Sequence, residues 1–489
     1  MITTRRSLFV LLGLWVLCLF LPQKAPAQKS EPDHFALTIL HTNDLHGHIF
    51  PFAYIEQAKS KEEAPSVGGA ARRATLIRKL RREVKNPVLL VDSGDTFTRG
   101  PLTNAYEGIA DVEAMNAVGY DLAALGNNEF KAKDAVEEWD AQGAQAALLQ
   151  MVKRAHFHWL CANATDSKGA CLEGVVPYVV REINGVRVGF LGLTPPRVAT
   201  YPQTVGWKIS DPIAAAKEWI PKARRHCDIL IALTHIGVDL DKQLAAQTTG
   251  LDAIVGGDSH TFLYKAEEVA NPEGRRIPIV QDGEFGVNLG RFDLRFSRNA
   301  DGPWTLTGFD YKLLPVGANI KEAPDVVAAL QPYLRPMLTV VGHLDSIGDT
   351  PQERNQITNR IIADALRQQT GSDYALNPDD SGFDVFRHKE VTRYDVYAIM
   401  PFKNHVITAS LTGAEIQAMQ KSVTNTVHSG EVANIDPTKT YKVAFVDYPA
   451  KAAYKVPMEK IVDTGRDVRE AVMTYLLFTG GTKVQKYSR

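Results

Sequence analysis

The stretch Ala36-Leu37-Thr38-Ile39-Leu40-His41-Thr42-Asn43-Asp44-Leu45-His46 begins as an apolar β-type run and ends on a carboxylate and an imidazole two residues apart. In open α/β sheets ligands gather beyond the carboxyl ends of the strands, so this pattern marks a strand and a candidate site together. It recurs along the chain. Val88 to Val91 leads into Asp92-Ser93-Gly94-Asp95, and Leu122 to Leu125 into Gly126-Asn127-Asn128-Glu129. Ile229 to Leu233 leads into Thr234-His235, and Ala253 to Val255 into Gly256-Gly257-Asp258-Ser259-His260. Taken singly, each is what a cap or turn supplies. Together they bring carboxylate, imidazole and amide donors to one edge of a sheet.

Between these runs, and a further one from Val186 to Leu193, lie helical patterns such as Gly69 to Lys85 and Pro212 to Arg225. The alternation predicts layered α/β architecture. The arginines of the first helix are expected on its solvated face. Phe292 to Leu314 alternates like a strand pair, and Ala323 to Val341 reads as a helix connecting two domains. Beyond it the pattern predicts a helix from Ile357 to Thr370, strands near Val396 to Ile399, Val406 to Leu411 and Tyr441 to Val446, and a helix from Gly413 to Lys421. This divides the chain into a first domain over 34–320, a linker helix over 321–344 and a smaller α/β domain over 345–489.

The 489 residues allow two or three domains with cores of their own. With 45% hydrophobic and 23% charged residues and a formal charge of −1, the composition excludes both a disordered chain and a nucleic-acid-coating protein. Four cysteines, Cys18, Cys161, Cys171 and Cys227, show no CxxC spacing, so any metal must be held by other ligands. Arg5-Arg6, the 14-residue apolar run from Leu8 to Leu21 and Ala25-Pro26-Ala27 form the three parts of a secretory signal peptide over 1–27. The run falls short of the ~20 residues of a membrane span. Export to the periplasm or medium is therefore expected, with no stable membrane anchor after cleavage. Thr4-Arg5-Arg6-Ser7-Leu8-Phe9 also resembles a twin-arginine signal, and both export routes stay open. Cleavage removes Arg5, Arg6 and Lys24 and no acid, leaving 52 basic and 56 acidic side chains and a net −4. In an oxidising compartment Cys161 and Cys171 are close enough in sequence to pair, whereas Cys227 reads as a buried inert thiol.

Mixed Asp, His and Asn donors suit borderline to hard ions such as Zn²⁺ or Mn²⁺, and two such ions need about eight protein ligands with a bridging carboxylate. A dinuclear site accounts for the five donor clusters economically.

The blocks His41-Thr42-Asn43-Asp44-Leu45-His46-Gly47, Val91-Asp92-Ser93-Gly94-Asp95, Gly126-Asn127-Asn128-Glu129-Phe130, Leu233-Thr234-His235-Ile236-Gly237 and Gly256-Gly257-Asp258-Ser259-His260-Thr261 occur in this order. With Ile399-Met400-Pro401-Phe402-Lys403-Asn404 near the C-terminus, the chain resembles the calcineurin-like metallophosphoesterases of the exported 5′-nucleotidase and UDP-sugar hydrolase family. The resemblance implies a four-layer β-sandwich flanked by helices, followed by a 5′-nucleotidase-type C-terminal α/β domain. It also implies a first metal on Asp44, His46, Asp95 and His260, and a second on Asp95, Asn127, His235 and Asp258, where the family usually has His at 258. The implied chemistry is metal-assisted hydrolysis of a small phosphate ester, a nucleotide being one candidate, by a monomer.

Departures from the family pattern bear on activity. In its GNHExD motif the His assists the leaving group and the Asp orients that His; here Asn128 and Lys131 stand instead. Asparagine supplies no proton, and losing a general acid costs ~10²–10⁴ in rate. Two outcomes are open: decay toward inactivity, or retained activity on a substrate whose leaving group needs no proton or takes one from His48 or Lys131. In the second domain the base-stacking aromatics would be Phe402 and Tyr448, and Arg360 aligns with a family arginine. The glycine-rich substrate stretch has become Asn377-Pro378-Asp379-Asp380-Ser381-Gly382-Phe383, without its arginine, and Ala450-Lys451-Ala452-Ala453 follows Tyr448. The rival readings are a non-catalytic binding protein that kept its metals, and a sulfur-oxidation thiosulfohydrolase, a group that resembles this family too.

Overall fold

The structure, a computed structural model, describes residues 33–54, 65–97, 100–131, 141–299, 302–378, 384–423, 426–430 and 435–479. The leader over 1–27, with Cys18, and the acidic stretch 379–383 lie outside these residues.

Period-two and continuous apolar runs build two sheets that face each other. The first runs Thr305–Pro315, Asn288–Arg298, Asp33–Thr42, Val88–Asp92, Leu122–Ala124, His158–Leu160, Val175–Val176. The second runs Glu267–Ala270, Arg276–Val280, Ala253–Val255, Ile229–Thr234, Val186–Leu193, Tyr178–Ile183. The strands that precede the donor clusters are mutually parallel within each sheet, Thr38–Thr42 beside Val88–Asp92 and Ile231–Leu233 beside Ala253–Val255. Their carboxyl ends therefore open on one edge. Leu37, Ile39, Val91, Phe190, Ile231 and Phe292 fill the space between the sheets, all fully buried. Burial on both faces explains the continuous hydrophobic runs. Helices, among them Ala70–Glu83 and Pro212–Arg224, cover the outer faces, which completes the four layers.

The helix Pro324–Met337 packs Ala323, Val326, Leu330 and Met337 into the core of the first domain. After it, a five-stranded sheet of Thr426–Ser429, Tyr374–Pro378, Thr440–Val446, His405–Thr412 and Ile461–Asp467 carries the second domain. Its core joins Ile361, Ile362 and Leu366 of the helix Pro351–Thr370 to Val406, Val446 and Leu476.

Two expectations are corrected. Val396 to Ile399 is not a strand but the end of the helix Arg393–Ile399. Thr392 caps it by accepting from the Asp395 backbone N–H at 3.3 Å while the Asp395 carboxylate accepts from the Thr392 N–H at 2.8 Å. This capping box outweighs the β-branched Val396 and Ile399. Among the arginines of Ala70–Glu83, Arg81 and Arg82 are exposed, but Arg73 is buried beside Gly286. The helix turns one charge inward toward Asp92 and Asp282, which burial alone would leave uncompensated. Cys161 is buried, Cys171 is exposed, and they are not joined; the buried Cys227 thiol is pushed up to about 11 by desolvation.

Candidate metal centre

The loops at the carboxyl edge of the two sheets converge on Asp44 and Asp95. Asp44 accepts hydrogen bonds at Oδ2 from Asn43 Nδ2 (2.7 Å) and from the Asp258 backbone N–H (2.9 Å), which turns Oδ1 inward. Asp95 is placed by Glu129, whose carboxylate accepts from the backbone N–H groups of Asp95 (3.1 Å), Thr96 (2.8 Å) and Gly126 (2.6 Å).

Three histidines are oriented alike. His235 directs Nδ1 to the Ser93 carbonyl at 2.7 Å, His46 to the Phe97 carbonyl at 3.2 Å, and His260 to the Glu284 carboxylate, itself held by the Tyr54 hydroxyl at 3.1 Å. An oxygen acceptor on Nδ1 fixes the proton there and leaves the Nε2 lone pair free, the arrangement of metal-ligating histidines. The Nε2 atoms meet the carboxylates: His260 lies 3.2 Å and His46 3.6 Å from Asp44 Oδ1, and His235 lies 3.2 Å from Asp95 Oδ2. His46 and His260 bring their Nε2 atoms within 3.0 Å of each other. Asp44 Oδ1 and His235 Nε2 are buried without a hydrogen-bond partner. Among the described residues, Asp44, His46 and His260 are grouped so that they could hold a metal ion, and so are Asp44, Asp95 and His235.

The electrostatics point the same way. Burial opposes charging His260, but Asp44 and Glu284 outweigh it and raise its pKa to about 10. Burial likewise opposes charging His235, and Asp95 and Asp44 overcome it. The carboxylates thus favour positive charge at this position, as expected of a cluster whose negative charge calls for a cation. The donor set fits a divalent ion. Asp44, His46, Asp95, Asp258 and His260 all have positive φ, from 45° to 83°, conformations that cost energy away from glycine and cluster at functional sites.

Asn128 turns away from open solvent. Its Nδ2 donates to Asp95 Oδ2 at 2.5 Å and its backbone N–H to Asp95 Oδ1 at 2.7 Å. His48 packs against Phe285 and Phe52, ring centroids 4.2 and 4.3 Å away, with Nδ1 3.1 Å from the Leu45 carbonyl. Burial lowers its pKa to about 4, so it is neutral at pH 7. The Lys131 ammonium lies 4.3 Å over the Tyr201 ring. Asn127 and Asp258 both meet the guanidinium of Arg197, a residue absent from the expected set. It follows the strand Val186–Leu193 in Thr194-Pro195-Pro196-Arg197, so the positional rule that found the other clusters also reaches it.

In the second domain Phe402 and Tyr448 are exposed, and Asn404 Nδ2 donates to Asp447 Oδ1 at 2.7 Å, tying the Phe402 loop to the helix Asp447–Ala452 that carries Tyr448. The Phe402 loop is joined to the first domain by Asn104 Nδ2 donating to the Pro401 carbonyl. Arg360 donates to the His428 carbonyl at 2.6 Å and to Asp364 at 3.2 Å, so it is tied within its own domain.

Comparison with known proteins follows the same division. Residues 37–262 match the model described as calcineurin-like phosphoesterase, and residues 340–433 the 5′-nucleotidase C-terminal domain. The chain is 28% identical to the trifunctional nucleotide phosphoesterase protein YfkN of Bacillus subtilis, over 83% of this chain and 29% of that one. It is 33% identical to a 5′-nucleotidase of Diplobatis ommata, over 71% of this chain and 60% of that one. It thus spans less than two thirds of the length of these curated relatives. The crystal structure of a 5′-nucleotidase precursor from Thermus thermophilus superposes with a TM-score of 0.66 at 25% identity, covering 92% of this chain and 97% of that one. Among the described residues no helix is long and apolar enough to cross a membrane.

Proposed function

We propose, for a chain that belongs to the calcineurin-like phosphoesterases and carries a 5′-nucleotidase C-terminal domain, the activity of an exported, divalent-metal-dependent hydrolase of small phosphate esters. The observation that carries this reading is the convergence of three Nε2 atoms on Asp44 Oδ1 and Asp95 Oδ2, with Asp44 Oδ1 and His235 Nε2 buried and unpartnered. Asp44, His46, Asp95 and His260 would hold one ion. Asp95, Asn127, His235 and Asp258 present donors for a second, Zn²⁺ or Mn²⁺ being suited to both. Divalent ions held by these residues would supply Lewis acidity, lowering the pKa of a water and neutralising phosphoryl charge.

The chain's own residues do the rest. Asn128 orients Asp95 by its two hydrogen bonds and has no proton to give. His48 walls the adjacent loop as a neutral imidazole, and Lys131 is engaged by Tyr201. This favours esters whose leaving group departs without protonation. Phe402, on a loop, and Tyr448, on the helix Asp447–Ala452 to which that loop is tied, are exposed and offer two faces to a flat ring, with Arg360 as the candidate cation of the same domain. The reading includes a leader over 1–27, a metal-bearing domain over 34–320, a linker over 321–344, a substrate domain over 345–489 and a monomer in the periplasm or medium.

The test is metal analysis of the purified protein with hydrolysis of a panel of phosphomonoesters, diesters and nucleotides. Turnover that requires added divalent ion and disappears in Asp95→Ala is expected. Bound metal with no turnover across the panel would instead favour a binding protein.

A further inference from the structure

Arg197 brings a guanidinium into the donor cluster from a well-fixed base. It sits on the short 3-10 helix Pro196–Thr200, next to the fully buried Val198, whose carbonyl accepts from Thr204 Oγ1 at 2.8 Å. Its Nη1 donates to Asp258 Oδ2 at 2.9 Å, and its Nη2 donates to both Asp258 Oδ1 and Asn127 Oδ1. This is the planar fork on a carboxylate that makes strong, specific ion pairs. The two oxygens on Nη2 are two of the three donors that the proposed second ion does not share with the first. The remaining donor of that ion, His235 Nε2, is 3.5 Å from Asp258 Oδ1. A guanidinium on Asn127 and Asp258 and a divalent ion on the same lone pairs exclude one another, both by space and by charge. The two ligating groups that converge without Arg197, Asp44/His46/His260 and Asp44/Asp95/His235, both omit Asp258. The Arg197 side chain is about half exposed, 48%, so it has room to swing out to solvent.

We infer that Arg197 and the second divalent ion are alternative occupants of the Asn127–Asp258 position. The chain holds one ion firmly on Asp44, His46, Asp95 and His260 and admits a second only when Arg197 leaves. This rests on the metal-dependent reading and sharpens it: the resting site carries one metal ion and one guanidinium.

The test is a Mn²⁺ titration of the metal-stripped full chain, followed by calorimetry and by the electron paramagnetic resonance of free Mn²⁺. The wild type is expected to show one tight site and a second weaker one. A paired arrangement favoured about ten to one weakens the apparent affinity of the second ion about tenfold. Arg197→Ala and Arg197→Gln should each tighten the second site about tenfold and leave the first unchanged, with thermal melts confirming that both are folded. Arg197→Gln keeps hydrogen-bonding capacity without charge and guards against a folding defect in the alanine variant. Two sites in the wild type that neither substitution alters would overturn the inference and leave the metal reading standing. No bound ion in any of the proteins would refute the metal reading itself.

Discussion

Replacing Gly126 by alanine removes no ligand yet should loosen the metal centre. A Cβ at this position would lie 2.3 Å from Asp95 Oδ1, 2.4 Å from the Asp95 backbone N and 2.9 Å from Glu129 Oε2. Ordinary C···O approaches are about 3.3 Å, so the shortfall is about 1 Å. The Asp95 N is backbone and cannot rotate aside, so one of the two loops must shift. Metal ligand distances hold within about 0.2 Å, and a displacement several times larger would detune the carboxylate proposed to serve both subsites. Loss of metal affinity by about 10–100-fold is expected, as for other residues that position ligands. Overpacking costs about 1–3 kcal/mol, and at about 2–4 °C per kcal/mol for a domain of this size the melting temperature should fall by about 2–12 °C. Calorimetric Mn²⁺ titration and thermal melts measure both. Gly169→Ala is the control, because its Cβ would meet nothing within 4 Å, although its φ of +85° makes the backbone unfavourable for alanine. The control should lose stability but no metal affinity. Wild-type affinity in Gly126→Ala would refute the view that this close approach fixes Asp95.

Three further outcomes are expected. Asn128→His with Lys131→Asp should raise phosphatase turnover by about 10²-fold or more by restoring a proton donor, and unchanged rates in a parallel assay would mean that the pocket has been repurposed. Asp111 is buried, and desolvation raises its carboxyl to about 8 against Thr103 as hydrogen-bond donor. Its folded pKa exceeds its unfolded one, so the folded chain binds the extra proton and stability falls as pH rises from about 4 to about 8. Asp111→Asn should therefore stabilise above pH 8 and do little at pH 4, and a pH series of melts showing equal gains at both ends would count against the assignment. Tyr448→Ala should raise KM for a nucleotide while sparing both kcat on a simple aryl phosphate and Mn²⁺ binding; equal losses on both substrates would show that the ring packs rather than recognises.

The layered architecture and the donor clusters were legible because two independent periodicities agree. Runs such as Leu37 to Leu40 and Ile229 to Leu233 are buried on both faces, and the hard donors follow at their carboxyl ends. What escaped depends on contacts between distant segments. Glu284, which orients His260, and Gly283, whose carbonyl accepts from the Asn43 amide that turns Asp44, carry no local signature of their roles. Val396 to Ile399 read as a strand because β-branched residues are ambiguous in short runs, whereas Thr392 and Asp395 decide the helix through its capping box. Arg73 shares its helix with several surface charges, yet it is buried, where its charge acts on Asp92 and Asp282. Arg197 was reachable from its place after a strand, but its meeting with Asn127 and Asp258 joins residues 70 and 61 positions away.

The left-handed backbone at Asp44, His46, Asp95, Asp258 and His260 has an evolutionary consequence. Each such residue costs on the order of 1–3 kcal/mol of folding free energy, which the remainder of the molecule must offset. Substitutions at these sites are therefore sorted by two opposed criteria. Glycine relieves the backbone but forfeits a ligand, while asparagine keeps an oxygen donor and tolerates the conformation. Drift that abandons metal binding should run toward glycine and should relieve the backbone as it goes. The aspartates and histidines at these five positions thus carry a backbone cost that the metal ligation proposed for them would offset.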